Sequence, residues 1–253
     1  MSNAIYKVPA AINEPVLNYA PGSPERKALK AALAHMRSEV IDVPMYIDGK
    51  AVHTDKKGEM RPPHDHQHLL GRYSIGDASH LNVAIDAALK AKDQWASMEW
   101  EQRASIFLKA ADLLAGPYRA IINAATMLGQ SKSAYQAEID SACEMIDFLR
   151  FNVEYAREIY TQQPISSKGV FNRVEQRPLE GFVFALTPFN FTAIAGNLPT
   201  SVSMMGNTVV WKPSFTQIYA ARVLMEVFME AGLPAGVINL VYVSGSTAGE
   251  VIF

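Results

Sequence analysis

Apolar residues recur along this chain at two different periods. Over residues 24–39 the spacing is helical, with Leu29, Leu33 and Met36 on one face. It is helical again over 79–95, where Ala84, Ala87, Ala88, Ala91 and Trp95 form a stripe, and over 101–114, 118–127 and 133–160. Ser79 is placed to cap the first of these. Gly116-Pro117 and Gly129 are placed to end the next two, and the last contains neither Gly nor Pro. Short apolar runs rich in β formers predict strands over 69–75, 181–186, 208–211 and 237–243. Residues 43–52 read as a hairpin turning on Asp48-Gly49. The Pro- and Asn-rich start, 1–24, reads as an arm on the surface, 54–66 as a polar loop, and 168–177 as an alternating, hydrophilic strand.

From residue 181 onward strand and helix alternate. The strand 181–186 suits a buried parallel position, and Pro188, which lacks an N–H, stops it. A small-residue helix over 192–205 ends at Gly206-Asn207, and a helix over 217–231 ends at Gly232-Leu-Pro234. A last helix opens after Gly245. Three such alternations predict an α/β fold with a doubly wound parallel sheet. Residues 1–45 divide off as arm and helix, and 46–253 as the sheet-bearing domain. In such sheets ligands bind outside the carboxyl ends of the strands.

Composition narrows the field. The chain has 253 residues, 49% hydrophobic and 19% charged, which is ordinary for a globular protein. Its 23 basic and 25 acidic residues nearly balance, so no long-range field favours nucleic acid or an anionic membrane. No apolar run reaches the roughly 18–20 residues of a membrane span. The first residues have neither a signal-peptide core nor the Arg- and Ser-rich character of a mitochondrial presequence. The expected setting is bacterial cytoplasm, or the mitochondrial matrix after processing. Cys143 is alone, so no disulfide framework is possible, and among Met145, Ile146, Phe148 and Leu149 it reads as a small semi-buried helix residue. His64, His66 and His68 would share one face of a strand, but no second cluster supports a metal and the stretch reads as polar loop.

The chemistry-bearing residues gather at strand ends. Asn190 follows the strand 181–186 and offers a neutral amide donor; the plainer reading is a turn Asn bonding its own backbone. Lys212-Pro213-Ser214 follows the strand 208–211, where an ammonium can reach a ribose or phosphate; the plainer reading is a solvated surface Lys. Gly245 to Gly249 lie between strand and helix, where a nucleotide-contacting turn belongs, though a tight turn needs Gly in any case.

The strings Pro188-Phe-Asn-Phe191 and Trp211-Lys-Pro-Ser214 resemble the aldehyde dehydrogenase superfamily. The longer stretch 172–199, together with 142–152, Asn13-Glu-Pro-Val16, Gly22-Ser-Pro24 and Pro62-Pro-His-Asp65, resembles its Δ1-pyrroline-5-carboxylate dehydrogenase branch. That resemblance implies a Rossmann-like NAD-binding domain and oxidation of L-glutamate γ-semialdehyde to L-glutamate in proline catabolism. It implies that Asn190 holds the oxyanion formed when a Cys attacks the aldehyde, while a Glu later activates water. Thr187, Pro188 and Phe189 would line the nicotinamide, Lys212 would reach the ribose with Pro213 and Ser214 shaping the same cofactor-binding turn, and Gly245 and Thr247 would lie near the adenosine. Glu144 would meet the substrate ammonium and Phe191 pack on its stem, unless they are a helix-surface Glu and a core Phe. The segment 168–177 would belong to an oligomerisation hairpin, giving a homo-oligomer. Phe215 departs from the family, which commonly carries an acid there, and weakens the preference for NAD over NADP. Family members are about twice as long and carry their Cys and Glu in the other half. The chain therefore reads as an amino-terminal half, inactive and poorly soluble alone; a non-catalytic nucleotide-binding fragment, or a different aldehyde, are the competing readings.

Overall fold

The computed structural model describes residues 7–253; the first six residues of the expected arm lie outside the described residues. A five-stranded sheet has the order β3-β2-β8-β7-β6. Its strands β6 (Val183–Leu186), β7 (Val209–Lys212) and β8 (Ile238–Leu240) are parallel. Strand β2 (Met45–Ile47) runs antiparallel to β8 and forms a hairpin with β3 (Lys50–Val52). The hairpin turns on Asp48 and Gly49, whose φ values of 52° and 71° are the left-handed pair that a two-residue turn needs.

Each parallel strand is followed by a helix: α7 (Thr192–Met204), α8 (Ile218–Ala231) and α9 (Gly245–Ile252). Helix α7 lies against β6, β7 and α8, while α2 (Ala78–Ser97) lies against β2, β7, β8 and α9. Neighbouring side chains of β7 point to opposite faces, and all four of its residues are buried, so both faces of the sheet are covered. This is the doubly wound arrangement expected. Strand β6 is different. It pairs only with β7 and is therefore an edge, with Leu186 59% exposed, not the buried strand its composition suggested.

A three-stranded sheet, β1 (Ile41–Val43), β5 (Gly71–Ser74) and β4 (Lys57–Met60), sits beside the first. Strand β4 falls in the expected polar loop. Its Lys-Gly-Glu-Met sequence has no β signature, and Gly58 is required because a Cβ there would lie 2.2 Å from the Tyr73 ring.

The helices α1 (Pro24–Ser38), α3 (Trp100–Ala115) and α4 (Arg119–Gln130) match their periodicity. Two boundaries differ. Asp77, not Ser79, caps α2, because its carboxylate accepts from the Ser79 and His80 N–H groups. Helix α4 runs through Gly129, which packs against Tyr219, and ends at Ser131 in the left-handed region (φ 57°).

The expected long helix over 133–160 is three segments. These are α5 (Ala134–Ala137), a π-helical stretch (Glu138–Glu144) and α6 (Met145–Thr161). The π stretch buries Glu138, Asp140, Ser141 and Cys143. Residues 168–177 form no strand; the side chains of Ile165 (91% exposed) and Phe171 (85%) stand in solvent because this ribbon has no ladder partner.

The arm is not simply laid on the surface. Tyr19 is buried, and the buried Glu138 carboxylate accepts from the Leu17 N–H (2.8 Å), the Tyr19 hydroxyl (2.6 Å), Asn123 Nδ2 (2.8 Å) and Arg119.

Candidate functional site

Strand register brings the candidate residues to one edge. Leu186 pairs with Lys212, and Trp211 with Leu240, so the connections following β6, β7 and β8 leave the sheet together. The first connection is anchored at Thr187. Its N–H donates to the Lys212 carbonyl (3.2 Å) and its hydroxyl accepts from the Trp211 indole (3.0 Å). The Thr187 carbonyl is left for a ligand. Beyond Pro188 the chain is open: Phe189 is 65% exposed and Asn190 is exposed. The Asn190 amide bonds to none of the described residues, so it does not close its own turn and is free to donate outward.

The turn ends at α7, whose N-cap residue, Phe191, has no side-chain acceptor. A remote carboxylate does that job. Asp140 accepts from the N–H groups of Thr192 (Oδ2, 3.0 Å) and Ala193 (Oδ1, 3.0 Å). Lys132 Nζ lies 2.5 Å from Asp140 Oδ2 and 4.5 Å from the centre of the Phe191 ring. Thr192 Oγ1 is held by Thr126 (2.9 Å) and Gln130 (2.7 Å). Sequence reasoning missed Asp140, Lys132 and Gln130. An acid in a helical stretch reads as solvated, and only the π stretch turns Asp140 inward.

The second connection carries Lys212, which is 6% exposed and has no carboxylate within ion-pairing distance among the described residues. Its ammonium sits 5.3 Å from the centre of the Phe215 ring, and Phe215 stacks on Tyr73 at 5.7 Å and 26°. Burial lowers the Lys212 pKa. Pro213 is buried, and the Ser214 carbonyl accepts from Gln217 N (2.9 Å) to open a 3₁₀ turn. In the third connection Ser244 caps α9 through the Thr247 N–H (3.0 Å), and the space around the Gly245 Cα is open.

The two substrate candidates are not brought into one cavity. Glu144 lines a groove of about 660 Å³ with Ile139, Asp147, Phe148, Phe151 and Tyr155, whereas Phe191 lies under Lys132. Burial raises the Glu144 pKa; the Asp140 charge raises it further and Lys132 opposes it. Cys143 is 5% exposed, and burial first, then the Glu138 charge, push its thiol up to about 12, so it carries no reactive thiolate. His64 Nδ1 lies 2.8 Å from Ser131 Oγ, and among the described residues no three His, Cys, Asp or Glu side chains gather to hold a metal.

Three parallel βα units, with a buried lysine, a free amide and a capped helix at their common carboxyl edge, define a doubly wound α/β domain of the class that binds ligands at that edge. Residues 51–253 match the aldehyde dehydrogenase family, and the chain belongs to that family. It is 50% identical over 240 residues to the Δ1-pyrroline-5-carboxylate dehydrogenase of Agaricus bisporus, covering 94% of this chain and 44% of that protein. It is 46% identical to the human mitochondrial Δ1-pyrroline-5-carboxylate dehydrogenase, covering 95% and 43%. A crystal structure of the Mycobacterium tuberculosis Δ1-pyrroline-5-carboxylate dehydrogenase bound with NAD superposes with a TM-score of 0.96 at 52% identity, covering 98% of this chain and 47% of that one. The chain thus spans less than half the length of these relatives.

Proposed function

We propose that this chain is the dinucleotide-binding half of an enzyme that oxidises L-glutamate γ-semialdehyde to L-glutamate in proline catabolism, with NAD as cofactor. Residues 46–253 form the binding domain and 1–45 its arm and first helix. NAD, when bound, accepts the hydride leaving the aldehyde carbon. The residues present fit it. Lys212 is a buried cation with no acid among the described residues to neutralise it, Ser214 shapes the turn beside it, and Gly245 leaves open the approach to α9. Asn190 donates its amide to the oxygen that gains negative charge at the aldehyde carbon. Phe189 and the Thr187 carbonyl face the same edge. Phe191, next to Asn190, packs on the aliphatic stem of the substrate, and Glu144, which lines a separate groove in this chain, is assigned the substrate ammonium on the resemblance to the family.

The observation that carries this reading is the free Asn190 amide on the connection that follows Leu186, the β6 residue in register with Lys212 at the end of β7. The nucleophile is not Cys143, whose thiol is buried and raised. Within this chain alone the expected activity is dinucleotide binding without turnover. The exposed segment over 168–177 supports pairing with a second copy, and the compartment is bacterial cytoplasm or mitochondrial matrix, the human relative being named as mitochondrial. Among the described residues no helix is long and apolar enough to cross a membrane.

The test is a substrate panel on the full-length protein. Glutamate semialdehyde with NAD is expected to yield NADH faster than unfunctionalised aliphatic aldehydes do. Preference for the latter, or no NADH with any aldehyde, overturns the assignment.

A further inference from the structure

We propose that Asp140 is a positioning residue that sets the Asn190 turn from a distance, by acting as the N-cap that α7 lacks. The proposal rests on the function assigned to Asn190 above. Helix α7 begins two residues after Asn190, so the point where its first turn is pinned decides where the 189–191 turn projects. Phe191 cannot pin it. The first two N–H groups of the helix belong to Thr192 and Ala193, both 0% exposed, so water cannot readily replace a lost acceptor. Both are taken by one carboxylate, one oxygen each at 3.0 Å, as a negative group at a helix N-terminus should be.

That carboxylate comes from 52 residues earlier in the chain, on a π stretch, a backbone form that recurs at functional sites. Lys132 clamps it at 2.5 Å and covers the Phe191 ring at 4.5 Å. The same ion pair therefore grips the backbone just after the turn and the one side chain between the turn and the helix. Thr126 and Gln130 fix the Thr192 hydroxyl from a third direction. Few contacts hold Asn190 itself, which must meet a reacting oxygen; its placement is delegated to this buried clamp. A displacement of about 1 Å at such a group costs up to about 10²-fold in rate.

The test is a double-mutant cycle in the full-length enzyme. Asp140→Asn keeps the shape of the side chain and removes the charge. It is expected to lower turnover about 10- to 100-fold while the NAD dissociation constant stays within about twofold. In an Asn190→Ala background the same change is expected to cost less than about twofold, because the group being positioned is gone. Lys132→Met, which leaves the cap but frees it, is expected to show a smaller loss with the same disappearance. Hydrogen exchange at the Thr192 and Ala193 amides is expected to quicken at least about tenfold in Asp140→Asn. Equal losses in both backgrounds, or unchanged exchange at the two amides, overturn the proposal. A wild-type protein inactive on every aldehyde would instead sink the functional assignment.

Discussion

Two acidic side chains of one π stretch meet opposite fates. Glu138 is buried and fully engaged, accepting from the arm, from Tyr19, from Asn123 and from Arg119. Glu144, six residues later, faces an open groove and bonds to none of the described residues. Burial tends to raise both. At Glu138 the hydrogen bonds outweigh it and the pKa ends below 4.5; at Glu144 nothing does and the pKa ends above 4.5. The satisfied carboxylate belongs to the fold, whereas the one facing the groove is the one proposed above to meet the substrate ammonium.

The comparison can be broken first at Glu138. Glu138→Ala leaves Arg119 buried without its main partner and should cost about 3–5 kcal/mol of stability, as broken buried ion pairs do. Urea unfolding checks it, with protease cleavage within 7–23 as the sign of a released arm. The acid limb follows from the same pKa. With the Glu138 carboxyl depressed, its stabilisation is present above its ordinary value of 4.5 and fades as pH falls through the lowered value. Glu138→Gln should flatten that limb. A loss below about 1 kcal/mol would mean the arm is not held there.

Much of this was legible in the chain. The βα alternation, the Asp48-Gly49 hairpin and the stop at Gly232 each rest on a local backbone requirement that names its residue. Asn190 and Lys212 were singled out by the motifs around them, and strand register brings the connections that carry them to one edge. What stayed hidden depends on partners distant in sequence. The π stretch has no Gly or Pro to announce it. Strand β4 exists because β5 pairs with it, not because Lys57-Gly-Glu-Met60 favours extension. Asp140 is recognisable as a cap only when the start of α7 is beside it. The ribbon over 168–177 has the alternation of a strand without the neighbour that makes one.

The next effect is smaller and concerns the cofactor. Lys212→Met removes the buried ammonium and should weaken NAD binding about tenfold, a typical value for one charge-assisted hydrogen bond. Titration calorimetry measures it. Because burial lowers the Lys212 pKa, wild-type affinity should also fall as pH rises through that lowered value, below 10.5, and the variant should show no such dependence. Equal NAD affinity in variant and wild type would remove Lys212 from the site.

The smallest effect sharpens the other side of the comparison. Glu144→Gln should raise the KM for glutamate semialdehyde severalfold with little change in turnover, and should leave folding unharmed. The sign follows from the raised pKa. Any stabilisation linked to the neutral form of Glu144 is present below 4.5 and lost as pH rises through the raised value, so removing the charge is neutral to favourable at neutral pH. Conversely, substrate KM in the wild type should rise as pH falls and Glu144 gains its proton. A destabilised variant with unchanged KM would make Glu144 a structural residue like Glu138.

The central claim is that the Asn190 amide is aimed at the oxygen of the reacting carbon. A crystal structure of the full-length protein with NAD and the product glutamate tests it most directly. The Asn190 Nδ2 should lie about 3 Å from an oxygen of the newly formed carboxylate. An amide folded back onto its own turn, or more than about 5 Å from that oxygen with Lys212 clear of the dinucleotide, would contradict the account.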